Sequence, residues 1–183
     1  MTAQVFVSVG TDHHPFDRLV GWVDRWQKGT SHHAEVFVQR GTSLTSSTVE
    51  SIDYLDKDEL DARLASAAVV VSHGGPSTIM GARGSGIRPI VVARDHTRGE
   101  HVDGHQMAFC EHLEKYGLII RARTEEQLHA LIDDALENPS MVRLNDGDHD
   151  DLIAPTLERF ESMVDGLLGR RPGLPGLGAS SAA

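Results

Sequence analysis

Short runs of β-branched residues alternate along this chain with longer segments whose apolar residues recur every three or four positions, and this alternation limits the possible folds most strongly. Residues 16–27, for example, place Leu19, Val23 and Trp26 on one helical face. Apolar strands separated by helices are typical of a parallel sheet covered on both faces. We therefore expect an α/β fold with a single Rossmann-like, doubly wound, mainly parallel sheet. The predicted order is β-α-β-β-α-β-α-β-α-β-α, with strands over 4–10, 34–39, 49–55, 68–72, 89–93 and 118–122.

The length fits one such domain followed by a short tail. A chain of 183 residues can bury most of its apolar surface in one core without splitting. Residues 1–168 are predicted to form the Rossmann-like domain, which closes with an amphipathic helix over 154–169. Residues 169–183 are rich in Gly, Pro, Ala and Ser, a composition typical of a disordered tail.

The charge and the N-terminus restrict the partners and the compartment. The formal net charge is -10 at pH 7, and no stripe of Lys and Arg offsets it, so nucleic acid and anionic lipid surfaces would both repel the chain. The apolar N-terminus lacks the basic flank and the cleavage site of a signal peptide, and no apolar run reaches the roughly 20 residues of a membrane span. We expect a cytoplasmic protein that reaches a membrane only through a partner.

The most unusual join between a predicted strand and a predicted helix is AVVVSHGGPST, residues 68–78. The two glycines permit a sharp turn, the proline suits a first helical turn, and Ser77 and Thr78 add hydroxyl groups. The N–H groups of such a helix start bind anions, and His73 is a further donor candidate. Several hydrogen bonds of about 1.5–3 kcal/mol each would hold a diphosphate. The alternative is structural, because any tight strand-to-helix turn favours glycine and a capping residue.

Other ligand patterns are missing from the sequence. Neither G-x-G-x-x-G after the first strand nor G-x-x-x-x-G-K-[ST] occurs, which disfavours NAD and ATP. The histidines include His96, His101, His105 and His112, but no H-E-x-x-H motif and no cysteine cluster accompanies them. We therefore expect neither a cofactor nor a metal site.

Three segments, taken in order, resemble the C-terminal, donor-binding domain of GT-B glycosyltransferases of the peptidoglycan GlcNAc transferase family. They are VFVSVGT at 5–11, VVVSHGGPSTIMGARGSGIRPIVVAR at 69–94 and GEHVDGHQ at 99–106. The chain is still more similar to the separately encoded catalytic subunit of dolichol-linked GlcNAc transfer and to its bacterial exopolysaccharide counterparts. The resemblance extends over residues 5–135.

This resemblance implies a binding site for a UDP-sugar, which is the donor substrate and not a cofactor. It assigns the residues of that site by position. These are Gly10 and Thr11 at the border of the phosphates, Tyr54 and Leu55 beside the uracil, His73, Gly74, Gly75, Pro76, Ser77 and Thr78 around the diphosphate, and His105 and Gln106 at the sugar hydroxyls.

One position departs from the family pattern. Many relatives carry a glutamate three residues after the position of Thr78, where it holds the ribose hydroxyls, whereas this chain has Gly81. Loss of such a hydrogen bond costs about 1.5–3 kcal/mol, or roughly ten- to a hundredfold in affinity, unless another group replaces it. Glu100 and Asp103, on the loop after the fifth predicted strand, are candidates for that replacement. The alternatives are weaker donor binding and a changed activity.

Sugar transfer needs a base for the acceptor hydroxyl as well as a site for the leaving UDP. In the enzymes that this chain resembles, an N-terminal domain supplies the acceptor site and usually the base, and no residues remain here to build one. We therefore expect a membrane-anchored acceptor-binding subunit and a lipid-linked acceptor as partners. Within the chain, His13 and His14 are the candidate bases at this edge of the sheet, although paired histidines are also common in plain loops.

The function predicted from sequence is the catalytic, donor-binding subunit of a two-component, UDP-sugar-dependent hexosyltransferase in polysaccharide biosynthesis. Two alternatives stay open. A non-catalytic regulatory or scaffolding subunit that binds nucleotide sugars would accommodate Gly81. A nucleotide-sugar epimerase of similar half-fold is less consistent with the chain, because such enzymes also need both domains in one chain.

Overall fold

A computed structural model describes residues 2–145 and has the predicted order of elements. The amphipathic helix predicted over 154–169 and the tail predicted over 169–183 lie outside the described residues. The strands are β1 (Ala3–Ser8), β2 (Ala34–Gln39), β3 (Glu50–Ile52), β4 (Val69–Ser72), β5 (Ile90–Val91) and β6 (Ile120–Arg121). The helices are α1 (Asp17–Gly29), α2 (Lys57–Ser66), α3 (Pro76–Gly84), α4 (His105–Lys115) and α5 (Glu125–Glu137).

All six strands form one sheet, and every pair of neighbouring strands is parallel. The strand order is β3-β2-β1-β4-β5-β6, so the direction of winding reverses between β1 and β4. This order confirms the predicted doubly wound, Rossmann-like sheet. Ligands of such sheets bind outside the carboxyl ends of the strands at the reversal point. The ends of β1 and β4, where Ser8 pairs with Ser72, therefore mark the place to search for a site.

The core lies on both faces of the central strands. Val69, Val70 and Val71 of β4 are fully buried, as a strand covered by helices on both sides requires. Trp26 of α1 is also buried, and its indole N–H donates to Asp133 of α5 at 2.8 Å. Within the described residues, no helix combines the length and the apolar character needed to cross a membrane.

Two helix ends follow the sequence signals. The hydroxyl of Thr124 accepts a hydrogen bond from the Gln127 N–H at 3.2 Å and so caps the start of α5. Gly117, with a φ of +67°, ends α4, as predicted for a glycine at this position.

The last two strands are shorter than predicted. β5 and β6 are only two residues long, whereas the sequence predicted strands over 89–93 and 118–122. Pro89 has no N–H to extend its strand towards the N-terminus.

Candidate functional site

The start of α3 presents backbone N–H groups at the carboxyl edge of the sheet. Gly75 is the N-cap residue, Pro76 is the first helical residue, and no side chain caps this helix in the described part of the chain. Both hydroxyl residues of the first turn belong to α3, and Ser77 is exposed whereas Thr78 is buried. An uncapped helix start with adjacent hydroxyls can bind an anionic oxygen.

The ring of His73 fills the space between the end of β1 and the start of α3. A Cβ atom placed on Gly10 would lie 2.5 Å from Nε2 of His73, and one placed on Gly75 would lie 2.3 Å from the same atom. Both distances are far below van der Waals contact, so only glycine fits at either position while the ring is present. His73 therefore sets the spacing between the two loops.

Hydrogen bonding fixes which nitrogen of His73 carries the proton. Nδ1 lies 3.3 Å from the carbonyl oxygen of Ser8, which can only accept, so Nδ1 donates. Burial, followed by the nearby charge of Arg94, lowers the pKa of His73 to about 4. The ring is neutral at pH 7 and its Nε2 has no proton to give a phosphate. In this tautomer the contacts of His73 position the turn, and donation by His73 to a diphosphate stays a prediction.

This neutral, buried ring predicts acid sensitivity of the fold. His73 would bind a proton near pH 6.5 in the unfolded chain but only near pH 4 in the folded one, so the unfolded state binds more protons between these values. The free energy of unfolding should fall as the pH is lowered across this window, by up to about 1.4 kcal/mol per pH unit. Urea denaturation of the wild type and of His73→Gln measures the slope. The substitution should remove the part of this pH slope that comes from His73. Identical slopes in the two proteins would contradict a lowered pKa for His73 in the folded state.

Gly74 brings the loop after β4 against α4. Its φ of +95° is strained for any residue with a side chain, and a Cβ there would lie 2.5 Å from Sγ of Cys110. The same position lies 3.7 Å from Cγ of Gln106. Burial raises the pKa of Cys110 to about 12, so this thiol is a neutral packing group. Gln106 thus stands next to the backbone of the glycine turn, as its assigned role beside the donor requires.

Arg94 holds the loops around this turn together, although the sequence did not single it out. Its side chain is 1 % exposed, and its Nη atoms donate to the carbonyl oxygens of Val9 at 2.7 Å, His14 at 2.7 Å and Glu100 at 2.8 Å. Its backbone N–H donates to Oε1 of Gln106 at 3.2 Å, which leaves the amide N–H groups of Gln106 for a ligand. One buried residue therefore fixes both the loop after β1 and the orientation of Gln106.

Both carboxylates that are candidates to replace the ribose-binding glutamate already have hydrogen-bond partners within the chain. Glu100 is 6 % exposed, and its two oxygens accept hydrogen bonds from Arg18 at 2.7 and 2.6 Å. Asp103 accepts from the backbone N–H and from Nδ1 of His105 at 3.0 and 2.9 Å. A Cβ on Gly81 would instead lie 2.7 Å from Cδ1 of Leu64 in α2, on the opposite side of α3 from the loop after β5. Close packing of α2 against α3 explains the glycine.

The two candidate bases lie in a histidine–aspartate cluster that consists of Asp12, His13, His14 and His101. Oδ1 of Asp12 accepts hydrogen bonds from the backbone N–H of His14 at 2.8 Å and from its Nδ1 at 2.6 Å. His13 is 81% exposed, with Nδ1 3.5 Å from the same oxygen. Nε2 of His101 lies 3.6 Å from Oδ2 of Asp12. Partial burial alone would raise the pKa of Asp12, but the His14 hydrogen bonds and the charge of Arg94 together hold this pKa below its usual value.

Tyr54 and Leu55 lie apart from this group of loops but at the same edge of the sheet. They follow β3 and precede α2, which packs beside α3 through Leu64 and Gly81. Because both helices begin at the carboxyl edge, the start of α2 lies about one helix spacing of 8–10 Å from the start of α3. Tyr54 is 46% exposed, and Leu55 packs partly into the core.

Sequence patterns contained signals for three residues that were not predicted, namely Ser8, Ser72 and Arg94. β1 and β4 both end in S-x-G, and each serine hydroxyl accepts the glycine N–H two residues on, Ser8 from Gly10 at 3.3 Å and Ser72 from Gly74 at 3.2 Å. The repeated tripeptide could have indicated paired turns. The second signal is the position of Arg94, because an arginine directly after an apolar predicted strand lies at the edge of the sheet where ligands bind.

The single parallel Rossmann-like sheet matches the fold of the C-terminal domain of GT-B glycosyltransferases. Residues 4–149 match the family model described as the glycosyltransferase family 28 C-terminal domain. The chain belongs to this family. No curated protein matches the sequence.

Solved structures with the same fold include glycosyltransferases of low sequence identity. The glycosyltransferase of kitacinnamycin superimposes with a TM-score of 0.58 at 17% identity, covering 92% of this chain and 43% of the other. MurG of Acinetobacter baumannii gives 0.57 at 14% identity, covering 92% and 50%. VinC, solved in complex with dTDP, gives 0.53 at 15% identity, covering 92% and 41%. This chain therefore spans half or less of the length of each of these structures.

Proposed function

We propose that this chain binds a UDP-sugar at the start of α3 and acts as the catalytic, donor-binding subunit of a two-component hexosyltransferase in polysaccharide biosynthesis. The observation that carries the proposal is the uncapped first turn of α3, which opens beside the paired ends of β1 and β4. Membership of the family supports sugar transfer, and the dTDP bound by VinC supports a nucleoside diphosphate as ligand of this fold. The donor needs no additional cofactor in this proposal.

In the proposed complex, the diphosphate accepts hydrogen bonds from the N–H groups and hydroxyls of Ser77 and Thr78. The glycine turn, Gly74 and Gly75, lets the phosphates approach the backbone, and His73 holds that turn in place from the protein side. Negative charge develops on the leaving UDP during transfer, and fixed N–H groups at a helix start stabilise it without reorganising. The remaining contacts are Gly10 and Thr11 at the phosphates, Pro76 at the first turn, and Tyr54 and Leu55 beside the uracil.

In this proposal, the binding site for the lipid-linked acceptor belongs to a partner subunit that is anchored to the membrane. Within this chain, the best-placed base is His14, because Asp12 accepts its Nδ1–H and leaves Nε2 able to take a proton from a hydroxyl. His13 is more exposed and has no short hydrogen bond to orient it in the described residues. Both histidines lie on the loop that begins at the proposed phosphate site.

Gln106→Ala separates the sugar site from the diphosphate site. The affinity for UDP should change by less than about twofold, whereas the affinity for the UDP-sugar should fall about tenfold, the value of one hydrogen bond. Calorimetric titration with UDP and with UDP-GlcNAc measures both. His112→Ala on the exposed face of the same helix is the matched control and should alter neither. Equal losses for UDP and UDP-GlcNAc would contradict the assignment of Gln106 to the sugar.

A second candidate function is a non-catalytic subunit that binds nucleotide sugars and regulates or supports a partner. The observation that favours it is Gly81, which offers no carboxylate and whose Cβ position lies only 2.7 Å from Cδ1 of Leu64. Turnover distinguishes the two functions. If the chain binds UDP and transfers sugar once its partner is added, the catalytic proposal holds. If it binds UDP and the complex still transfers sugar after Ser77→Pro abolishes that binding, the regulatory function holds.

A further inference from the structure

We propose that the histidine–aspartate cluster binds one divalent transition-metal ion of the Zn²⁺ class, with Asp12, His13 and His14 as ligands and His101, from the loop after β5, as the fourth. The expectation of no metal site came from the histidines of the loop after β5 taken by themselves. The fold brings one of them, His101, against the loop after β1. This inference goes beyond the proposed transferase function and is tested without a nucleotide.

The distances suit a tetrahedral ion. Ligand atoms that each lie about 2.0–2.1 Å from one Zn²⁺ are about 3.4 Å apart from one another. Oδ1 of Asp12 is 3.5 Å from Nδ1 of His13, and Oδ2 is 3.6 Å from Nε2 of His101. One ligand atom from each of Asp12, His13 and His14 lies within 4.8 Å of the others, whereas His101 lies outside this group and its ring would move closer to reach the same ion. The 2.6 Å contact between Asp12 and His14 is a hydrogen bond that the ion would replace.

The chemistry of the ligands selects the metal. Three imidazoles and one carboxylate favour Zn²⁺, Co²⁺ and Ni²⁺ over Mg²⁺ and Ca²⁺, which prefer oxygen ligands. His101 is oriented from its other side, because Nδ1, the ring nitrogen that does not face Asp12, accepts a hydrogen bond from the backbone N–H of Asp103 at 3.4 Å. An ion at Nε2 would move the ring proton to Nδ1, which lies 3.6 Å from Oδ1 of Asp103, and that carboxylate could then accept it.

The surrounding charges permit a cation. Arg94 is the nearest fixed positive charge, and it donates to the carbonyl of His14. Two carboxylates offset the guanidinium charges of Arg94 and Arg18. They belong to Asp12 and to Glu100, which pairs with Arg18 at 2.6 Å. Asp103 adds a further negative charge beside His101. The site is therefore net negative when its imidazoles are neutral, which is the form that binds metal.

Metal binding would change the chemistry of His14. The ion would bind Nδ1 in place of the proton that Asp12 now accepts, and the ring would stay neutral by carrying its proton on Nε2. A histidine in that state cannot take a proton from an acceptor hydroxyl. The ion would therefore join the loops after β1 and β5 and switch off the candidate base.

Titration of the untagged, metal-free full-length protein tests the site at neutral pH. We expect one equivalent of Zn²⁺ to bind by calorimetry, a tetrahedral d–d absorption spectrum with Co²⁺, and no binding of Mg²⁺. Asp12→Asn keeps an oxygen for the His14 N–H but removes the charge, and His101→Ala removes a ligand. Each should weaken Zn²⁺ binding at least about tenfold. His33→Ala, exposed at the other edge of the sheet, is the matched control and should bind as the wild type does.

Two results would overturn the proposal. One is the absence of Zn²⁺ binding at millimolar concentration. The other is binding with unchanged affinity in both Asp12→Asn and His101→Ala, which would place the ion elsewhere. Thermal unfolding of each variant without metal establishes that it is folded, so weaker binding reports a lost ligand. Because UDP is absent from every titration, failure of the metal site leaves the donor-site proposal standing, and failure of the donor site leaves this one standing.

Discussion

Replacement of Arg94 by methionine is expected to lower the free energy of unfolding by about 3–5 kcal/mol and to abolish UDP binding. Methionine fills a similar volume but leaves the buried carbonyl oxygens of Val9, His14 and Glu100 without their donor. Each unsatisfied buried acceptor costs about 1–3 kcal/mol, a large part of the 5–15 kcal/mol that stabilises a typical domain. The loop after β1 would lose its anchor at the same time. Urea denaturation and calorimetry with UDP measure the two effects.

Arg98→Met is the matched control for this prediction. Arg98 lies four residues further along the same loop, and its side chain is 63% exposed, with Asp95 at 3.4 Å as its ionic partner. Exposed ion pairs contribute little, so this variant should stay within about 0.5 kcal/mol of the wild type. If Arg94→Met proved as stable as Arg98→Met and bound UDP normally, Arg94 would not organise the site.

The second large effect is expected for Gly75→Ala. The added methyl group would overlap Nε2 of His73, and the ring cannot retreat because Gly10 closes the other side. The start of α3 must move, which should destabilise the fold by about 1–3 kcal/mol and weaken UDP binding by about a hundredfold or more. In a His73→Ala background the three atoms nearest to that methyl group, all in the His73 ring, are gone. There it should cost less than about 1 kcal/mol.

The double-mutant cycle makes this prediction specific. His73→Ala alone should also weaken UDP binding, because the loop after β4 loses its support, but Gly75→Ala should add little to that loss. Gly84→Ala at the other end of α3 is the control. Nothing lies within 4 Å of a Cβ at that position, so the added methyl should be neutral or should stabilise the helix by up to about 1 kcal/mol. Additive losses for His73 and Gly75 would contradict the steric account.

Local patterns were sufficient to predict the fold. The alternation of apolar strands with amphipathic helices follows from the backbone geometry of each element, and the strand order follows from the few topologies open to such a chain. Thr124 and Gly117 marked their helix ends correctly, because capping depends on residues near in sequence. The lengths of β5 and β6 could not be predicted in this way, since they depend on pairing with neighbouring strands.

The site was only partly predictable, because long-range contacts decide it. The glycine turn was visible in the sequence, but the placement of the His73 ring between Gly10 and Gly75 joins residues that are distant along the chain. The pairing of Glu100 with Arg18, 82 residues away along the chain, was likewise not visible in the sequence. Sequence indicates which groups are available, and packing determines which of them a ligand can reach.

The central claim is that the first turn of α3 binds a nucleoside diphosphate, and a crystal structure of the protein grown with UDP tests it most directly. The account predicts phosphate oxygens within about 3 Å of the N–H groups of Ser77 and Thr78. It also predicts that the His73 ring remains between Gly10 and Gly75. UDP bound at another place, or no bound UDP at millimolar concentration with this turn open to solvent, would contradict the account.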